Sequence, residues 1–338
     1  MSNILLKSII SNVFSLTGIF AAIEQHCLNN KAFILMYHRV LKQVDLQRRQ
    51  VQPGMFVSTN SFVNHIAFLK DRFEVVFLED LVEKFLNEED IGGLCAVTFD
   101  DGWRDNFTNA FPVLEKYCVP ATIFLATGLV GTDRMFWPEE LCYYLKRNKV
   151  GKSAFDSAPS SYIRFSEEIS RYHQCIRETF FDRSIEILKG YSPGDREEVL
   201  GYFRGILKAD PISRQMLSWD EAREMLSSGL VRFGAHTVNH EILDQIPIQK
   251  ARDEISKSRA DIENNLGGRV STFAYPNGNY TESIRKILTE SGFNAAVTTR
   301  KGFLAHGIPL MEIPRIAIHE DVSNTIPMFR SRILLRKF

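Results

Sequence analysis

Residues Thr98-Phe99-Asp100-Asp101-Gly102-Trp103 close the apolar run Leu94-Cys95-Ala96-Val97, and this stretch restricts the fold and chemistry of the chain more than any other. The run reads as a buried strand that ends in two adjacent carboxylates. Such a pair repels itself and persists where something cationic compensates it, most economically a divalent metal ion. Gly102 lets the backbone turn sharply out of the strand, so Asp100 and Asp101 need not alternate as strand neighbours do. Both can then face one site.

The remaining ligands of such a site lie roughly 135 residues further on, in Val231-Arg232-Phe233-Gly234-Ala235-His236-Thr237-Val238-Asn239-His240, a second apolar strand with a polar end. His236 and His240 are four apart, a spacing that puts both imidazoles on one face of a helical turn. With Asp101 they present two nitrogens and one oxygen. Three protein ligands leave a position for water, the pattern of a catalytic metal site and not of a closed structural one.

These paired motifs, in this order, resemble those of the polysaccharide deacetylases, the NodB-homology carbohydrate esterases of family 4, over roughly residues 32 to 320. The resemblance implies that Asp100 is the general base and that Asp101, His236 and His240 bind zinc or a related ion. Nitrogen and oxygen ligands also admit Co2+, Ni2+ or Fe2+. It further implies a substrate that is an N-acetylated amino sugar, hydrolysed to acetate and a free amine.

The chain of 338 residues has 41 basic and 41 acidic side chains, so its composition gives no electrostatic case for nucleic acid. Five cysteines, odd in number and without C-x-x-C spacing, argue against a disulfide framework or zinc cluster and fit a reduced, cytosolic setting. Residues 2 to 25 show amphipathic periodicity, with Leu5, Ile9, Val13, Leu16, Phe20 and Ile23 on one side and Lys7, Ser8, Ser11, Asn12 and Ser15 largely on another. Three readings stay open for residues 1 to 30: an interfacial helix, a helix docked on the protein's own surface, and a cleaved signal. The first implies peripheral contact with the inner face of the cell membrane through residues 1 to 28.

From Lys31 onward a strand, helix, strand rhythm indicates parallel pairing. Predicted strands are Lys31 to Val40, Phe73 to Phe77, the Asp100 strand, Ala121 to Ala126, the His236 strand, Val270 to Tyr275, Asn294 to Thr298 and Met311 to Ile318. Predicted helices include Ser58 to Asp71, Leu78 to Asn87, Arg104 to Tyr117, Ile248 to Leu266 and Thr281 to Ser291, and Ser218 with Glu221 forms a capping-box pattern. Between about residues 136 and 211 the rhythm stops, and polar helices (Pro138 to Asn148, Glu167 to Lys189, Arg196 to Leu207) read as an insertion, either a packing cap or a lid, with Trp137 at its border. The expected architecture of residues 31 to 338 is a distorted (β/α) barrel of seven or eight strands. Asp100, Asp101, His236, Tyr275 and His38 then sit at C-terminal strand ends, the active-site face of such a barrel.

The chain departs from the family pattern where an Arg usually orients the base. Phe273-Ala274-Tyr275-Pro276-Asn277-Gly278 puts Ala274 at the Arg position and Asn277 at the family's Tyr position. A backbone donor for the oxyanion survives there, so Tyr275, Pro276 and Asn277 stay candidates. Arg315 is the candidate replacement partner for Asp100. FAYPNG and MYHRV together resemble the branch acting in exopolysaccharide and lipopolysaccharide synthesis, which shifts the implied substrate toward a polymeric or lipid-linked saccharide. His38 is the first candidate for the general acid and His319, near the last strand, its positional rival. Trp103 and Trp219 read either as sugar-stacking surfaces or as barrel wall. A deformylase acting on a lipid-linked amino sugar shares the same site chemistry, and a non-catalytic saccharide-binding module is disfavoured because Asp100 and every ligand are present.

Overall fold

In a computed structural model, residues 2–44, 51, 54–147, 158–175, 177–207 and 214–335 are described. The chain opens with helices α1 (Ser2–Leu16) and α2 (Ile19–Cys27), then strands β1 (Phe33–Tyr37), β2 (Arg39–Leu41) and β3 (Phe56–Ser58). Next come α3 (Thr59–Arg72), β4 (Glu74–Val76), α4 (Leu78–Leu86), β5 (Leu94–Phe99), α5 (Phe111–Tyr117) and β6 (Ala121–Leu125). Four helices follow, α6 (Trp137–Arg147), α7 (Ser160–Ser170), α8 (Arg177–Lys189) and α9 (Pro193–Ile206). The chain then returns to alternation through α10 (Trp219–Ser227), β7 (Val231–Ala235), α11 (Ile248–Leu266), β8 (Thr272–Ala274), α12 (Glu282–Glu290), β9 (Ala295–Val297) and β10 (Ile316–Ala317), and ends in α13 (Glu320–Ser323) and α14 (Ile326–Leu334).

Seven strands pair in parallel in the order β10-β1-β5-β6-β7-β8-β9, and β4 pairs with the first half of β5. A parallel bridge between Val297 and Ile313 brings the chain ahead of β10 alongside β9, curling the sheet toward closure. This is the expected (β/α) barrel in distorted form, as the alternation of apolar strands and amphipathic helices predicts.

Strand parity sorts the barrel into two apolar layers. Phe33, Leu35 and Tyr37 of β1, Cys95, Val97 and Phe99 of β5, and Ala121, Ile123 and Leu125 of β6 join one cluster with the helices. Ile34, Leu94, Ala96, Phe124, Ala274 and Val297 belong to a second cluster on the opposite, inner face. Continuing the count along β5 places Thr98 and Asp100 with Ala96 on the inner face. Gly234 of β7 is required there, because a Cβ would lie 2.5 Å from the Phe124 ring. At the far end of the same interior, half-buried Glu79 accepts hydrogen bonds from Thr122 (3.0 Å) and Thr272 (2.9 Å).

Several sequence expectations are corrected. The single helix over residues 2 to 25 is two helices bent by 93°, because Gly18 takes a left-handed φ of 73°. The strand over Lys31 to Val40 ends at Tyr37; His38 breaks it, and Arg39 begins β2, which pairs with β3 in a separate two-stranded sheet. The helix over Glu167 to Lys189 is divided into α7 and α8. Asn106–Ala110 form a π-helical turn ahead of α5, and α13 and α14 were not anticipated. Residues 148–157 and 208–213, in which two of the expected helix and insertion boundaries fall, lie outside the described residues. The capping box at Ser218 and Glu221 forms as read.

Helices α6 to α9 bury an apolar cluster of their own around Tyr144, Tyr162, Phe165 and Phe203. Among the described residues, no single helix is long and apolar enough to cross a membrane.

Candidate active site

The end of β5 is where the barrel departs from regular geometry. Asp101 has φ 76° and Gly102 φ 80°, two successive left-handed residues. Asp100 keeps the inward parity of its strand, and the reversal at Asp101 cancels the alternation that would point its carboxylate outward. A Cβ on Gly102 would lie 2.7 Å from a Leu125 methyl, so the turn needs glycine sterically as well as conformationally.

Asp100 is buried and clasped by a fully buried Arg315, whose Nη1 donates to Oδ1 (2.7 Å) and Nη2 to Oδ2 (2.6 Å). Arg315 also donates from Nε to the Thr298 carbonyl (3.0 Å) and from Nη1 to Thr98 Oγ1 (3.1 Å), which fixes the plane of its fork. Burial pushes the Asp100 carboxyl up, but the charge and hydrogen bonds of Arg315, with smaller help from His236 and His38, hold it below the usual carboxylate range. Asp100 is therefore held as a carboxylate in a fixed orientation.

Asp101 Oδ1 lies 3.4 Å from His236 Nε2 and 3.6 Å from His240 Nε2, too far for good hydrogen bonds. These three side chains offer ligand atoms within 4.8 Å of one another. The two carboxylate–imidazole separations are close to the edges of about 3.3–3.4 Å of a tetrahedron with bonds of about 2.0–2.1 Å. The other oxygen, Oδ2, accepts from the Trp103 indole N–H at 2.8 Å, leaving Oδ1 to face the histidines. His236 Nδ1 donates to the Ala274 carbonyl (2.7 Å), which turns its Nε2 toward Asp101. His240 Nδ1 is buried and without a hydrogen-bond partner among the described residues. Burial first, then the neighbouring charge of His236, push the His240 imidazole down to about 3, so it is neutral and its lone pair is available. His236 is shifted the other way: burial opposes its charge, but Asp101 and Asp100 outweigh it and raise it. The two carboxylates demand positive charge, and imidazolium and divalent ion satisfy that demand in the same place.

His236 and His240 do not sit on a helical turn, as their spacing suggested. Residues 236 to 240 form an irregular loop in which Thr237 (φ 63°) and His240 (φ 55°) are left-handed. Glu254 of α11 holds that loop: one oxygen accepts from Val238 N and Asn239 N, the other from the Asn239 side chain, each at 2.8 Å. Nothing in the local sequence marked Glu254 for this role. Phe136 packs edge-on to His240, with ring centres 4.5 Å apart.

The remaining candidates separate. Trp103 is 1 % exposed and gives its N–H to Asp101, so it offers no face to a sugar; Arg39 stacks on its ring at 4.2 Å and pairs with Asp105. Trp219 packs against the main core. Tyr275 is buried, with its N–H donated to the Val297 carbonyl and its hydroxyl to the Met311 carbonyl, and neither group faces the site. Pro276 has no N–H, and Asn277 is left-handed (φ 57°) at the exposed rim. The register of β1 with β10 (Met36 opposite Ala317) brings His38 and His319 to the same level on neighbouring strands. His38 acts electrostatically on Asp100, Asp101 and His240, whereas the His319 imidazole is bound to the Asp321 carboxylate.

Beside His240, Phe136 and Asn239 open onto a cleft of about 1000 Å³ between the barrel and the four-helix segment, lined also by Trp137, Tyr143, Arg134 and Arg196.

A sequence model described as polysaccharide deacetylase matches residues 88–296. A poly-β-1,6-N-acetyl-D-glucosamine N-deacetylase of Staphylococcus aureus is 32% identical over 116 residues, which is 31% of this chain and 39% of that protein. The structure of the Streptococcus pyogenes deacetylase PplD in complex with acetate superimposes with a TM-score of 0.60 at 20% identity, covering 90% of this chain and 98% of that one. IcaB from Ammonifex degensii gives a TM-score of 0.53 at 20% identity over 89% and 97% of the two chains. At these identities the structural likeness concerns the fold.

Proposed function

The chain belongs to the polysaccharide deacetylase family, and from that premise we propose that it removes an N-acetyl group from an amino sugar of a polymeric or lipid-linked saccharide in a reaction that depends on a divalent metal ion. The observation that carries this reading is the juxtaposition of a bidentately held carboxylate, Asp100, with the Asp101, His236 and His240 triad at one end of the barrel.

A divalent ion held by Asp101, His236 and His240, zinc first among Zn2+, Co2+, Ni2+ and Fe2+, supplies Lewis-acid polarisation of the acetyl carbonyl and acidifies water. The chain's own residues do the rest. Asp100 takes the proton of the attacking water while Arg315 keeps both its oxygens fixed. The Asn277 backbone N–H, at the rim where Tyr275 and Pro276 have no N–H to give, is our candidate donor to the developing oxyanion. His38 delivers a proton to the departing nitrogen as the C–N bond breaks. The products are acetate and a free amine. His319 is the alternative acid.

The large cleft beside His240 suits a substrate that extends beyond the reacting sugar, with Trp137 and Tyr143 as aromatic walls. Five free thiols among the described residues fit a reducing compartment, and we place the enzyme on the cytoplasmic side.

The test is a panel of free and lipid-linked N-acetyl and N-formyl oligosaccharides, with acetate and formate measured separately. Acetate release by the wild type that disappears in Asp100→Asn is expected. Formate release alone, or no acetate from any N-acetylated member, overturns the proposal.

A further inference from the structure

Arg39 opens β2, and its buried guanidinium is where separate segments of the chain converge. Nε donates to Asp105 Oδ2 (2.9 Å) ahead of the π-helical turn, Nη1 to Glu139 Oε1 (3.2 Å) in the first turn of α6, and Nη2 to Gln215 Oε1 (3.3 Å) ahead of α10. The other Asp105 oxygen accepts from Val40 N (2.8 Å), so one carboxylate holds both the strand and the arginine. Each arm of the fork is fixed, and its centre lies over the Trp103 ring, 4.2 Å from the ring centre.

A guanidinium taken out of water needs compensation, and here two carboxylates supply it. Burial works against the charge of Arg39, but Asp105 and Glu139 outweigh burial and raise the group, so it stays a cation. The same carboxylates cancel its charge at longer range, where it would otherwise oppose a divalent ion. What remains is local, a cation against the face of an indole. It draws electron density from the ring and makes the ring N–H a stronger donor. That N–H ends on Asp101 Oδ2 at 2.8 Å, and the other oxygen, Oδ1, is the one nearest His236 and His240. In a water-excluded interior such linked interactions polarise and strengthen one another. Phe136 packs against the Trp103 ring and a bridge to Met216 holds its backbone, which keeps the indole in place.

Resting on the metal-dependent reading above, we infer that Arg39 is a positioning residue for Asp101: its cation on the Trp103 face strengthens the indole bond to Oδ2 and keeps Oδ1 turned toward His236 and His240. Because Glu139 belongs to α6, the segment between β6 and β7 braces this arrangement through the same arginine.

The test uses full-length protein with isotopically labelled indole nitrogens. The chain has three tryptophans, and Trp103→Phe identifies the Trp103 signal in nuclear magnetic resonance spectra. Arg39→Met keeps an apolar stem and removes the cation. In metal-free protein its Trp103 indole proton is expected upfield of the wild-type position, and zinc affinity in a competitive chelator titration is expected to fall about 3–10-fold. In the Trp103→Phe background, where the N–H is gone, Arg39→Met is expected to cost no further affinity. If Arg39→Met does not fold, Arg39→Met/Asp105→Asn removes both charges of the pair, retains an acceptor for Val40 N, and is read in the same way. An unmoved indole proton, or an equal further loss of affinity in the Trp103→Phe background, overturns the inference. A wild type that binds no zinc while its indole proton still responds to Arg39→Met upholds the link from Arg39 to Asp101 and refutes the metal-dependent reading instead.

Discussion

Arg315 and Asp100, 215 positions apart in sequence, meet through two charge-assisted hydrogen bonds of 2.7 and 2.6 Å inside the barrel. The residue just ahead of the last strand thus supplies the arginine that the segment around Ala274 lacks. The Asp100 carboxyl is held below its ordinary value of about 3.9, so the pair's contribution to stability is present above that pH and is lost as pH falls through the lower folded value. In Arg315→Ala the largest influences that lower the carboxyl are lost, and burial, opposed only by the smaller help of His236 and His38, raises it. The acid limb of kcat/KM is expected to move to higher pH, and removal of one partner of a buried pair to cost about 3–5 kcal/mol in denaturant unfolding. An unmoved acid limb would show that Arg315 does not govern the base.

Asp100→Asn keeps the Asp101, His236 and His240 triad and removes the proton acceptor. Metal content by mass spectrometry is expected to match wild type, with turnover reduced by about 10²–10⁴. Asp101→Ala, His236→Ala and His240→Ala are expected to lose metal and activity together. Full turnover in Asp100→Asn refutes its role as base.

The indole of Trp103 holds one oxygen of Asp101 and leaves the other to the histidines. Trp103→Phe preserves the ring against Arg39 and deletes only the donor. We expect metal affinity to fall by about 10–100-fold in a competitive chelator titration, with little change in melting temperature. Equal affinity in the two proteins would show that the indole contributes packing alone.

His38 and His319 emerge level with each other from neighbouring strands, and the proton donor is distinguished by leaving group. An amine must be protonated to depart, whereas an activated phenolate need not be. His38→Ala is expected to slow N-deacetylation strongly, to spare hydrolysis of an activated aryl acetate and to leave metal content unchanged. The same pattern in His319→Ala, with His38→Ala unaffected, transfers the role to the last strand.

Much of this was written locally. Apolar runs of period two, amphipathic helices between them, Ser218 with Glu221, and the stop at Gly267 depend on neighbours a few residues away, and they set the parallel barrel and its strand ends. The carboxylate pair and the two histidines were legible because their chemistry demands a shared cation whatever the fold. Other features had no local signal. The left-handed residues that wind His236 toward His240 are stabilised by Glu254 from another element, and a spacing of four looks helical until that contact exists. Tyr275 reads as a site residue by position, yet its N–H belongs to Val297 of the next strand. The face of α1 was decided by Ser331 at the other end of the chain, which draws Ser11 inward and leaves the leucines out. Periodicity fixes which residues share a face, because that follows from backbone geometry alone. Which way the face turns depends on what packs against it, and only the tertiary structure decides that.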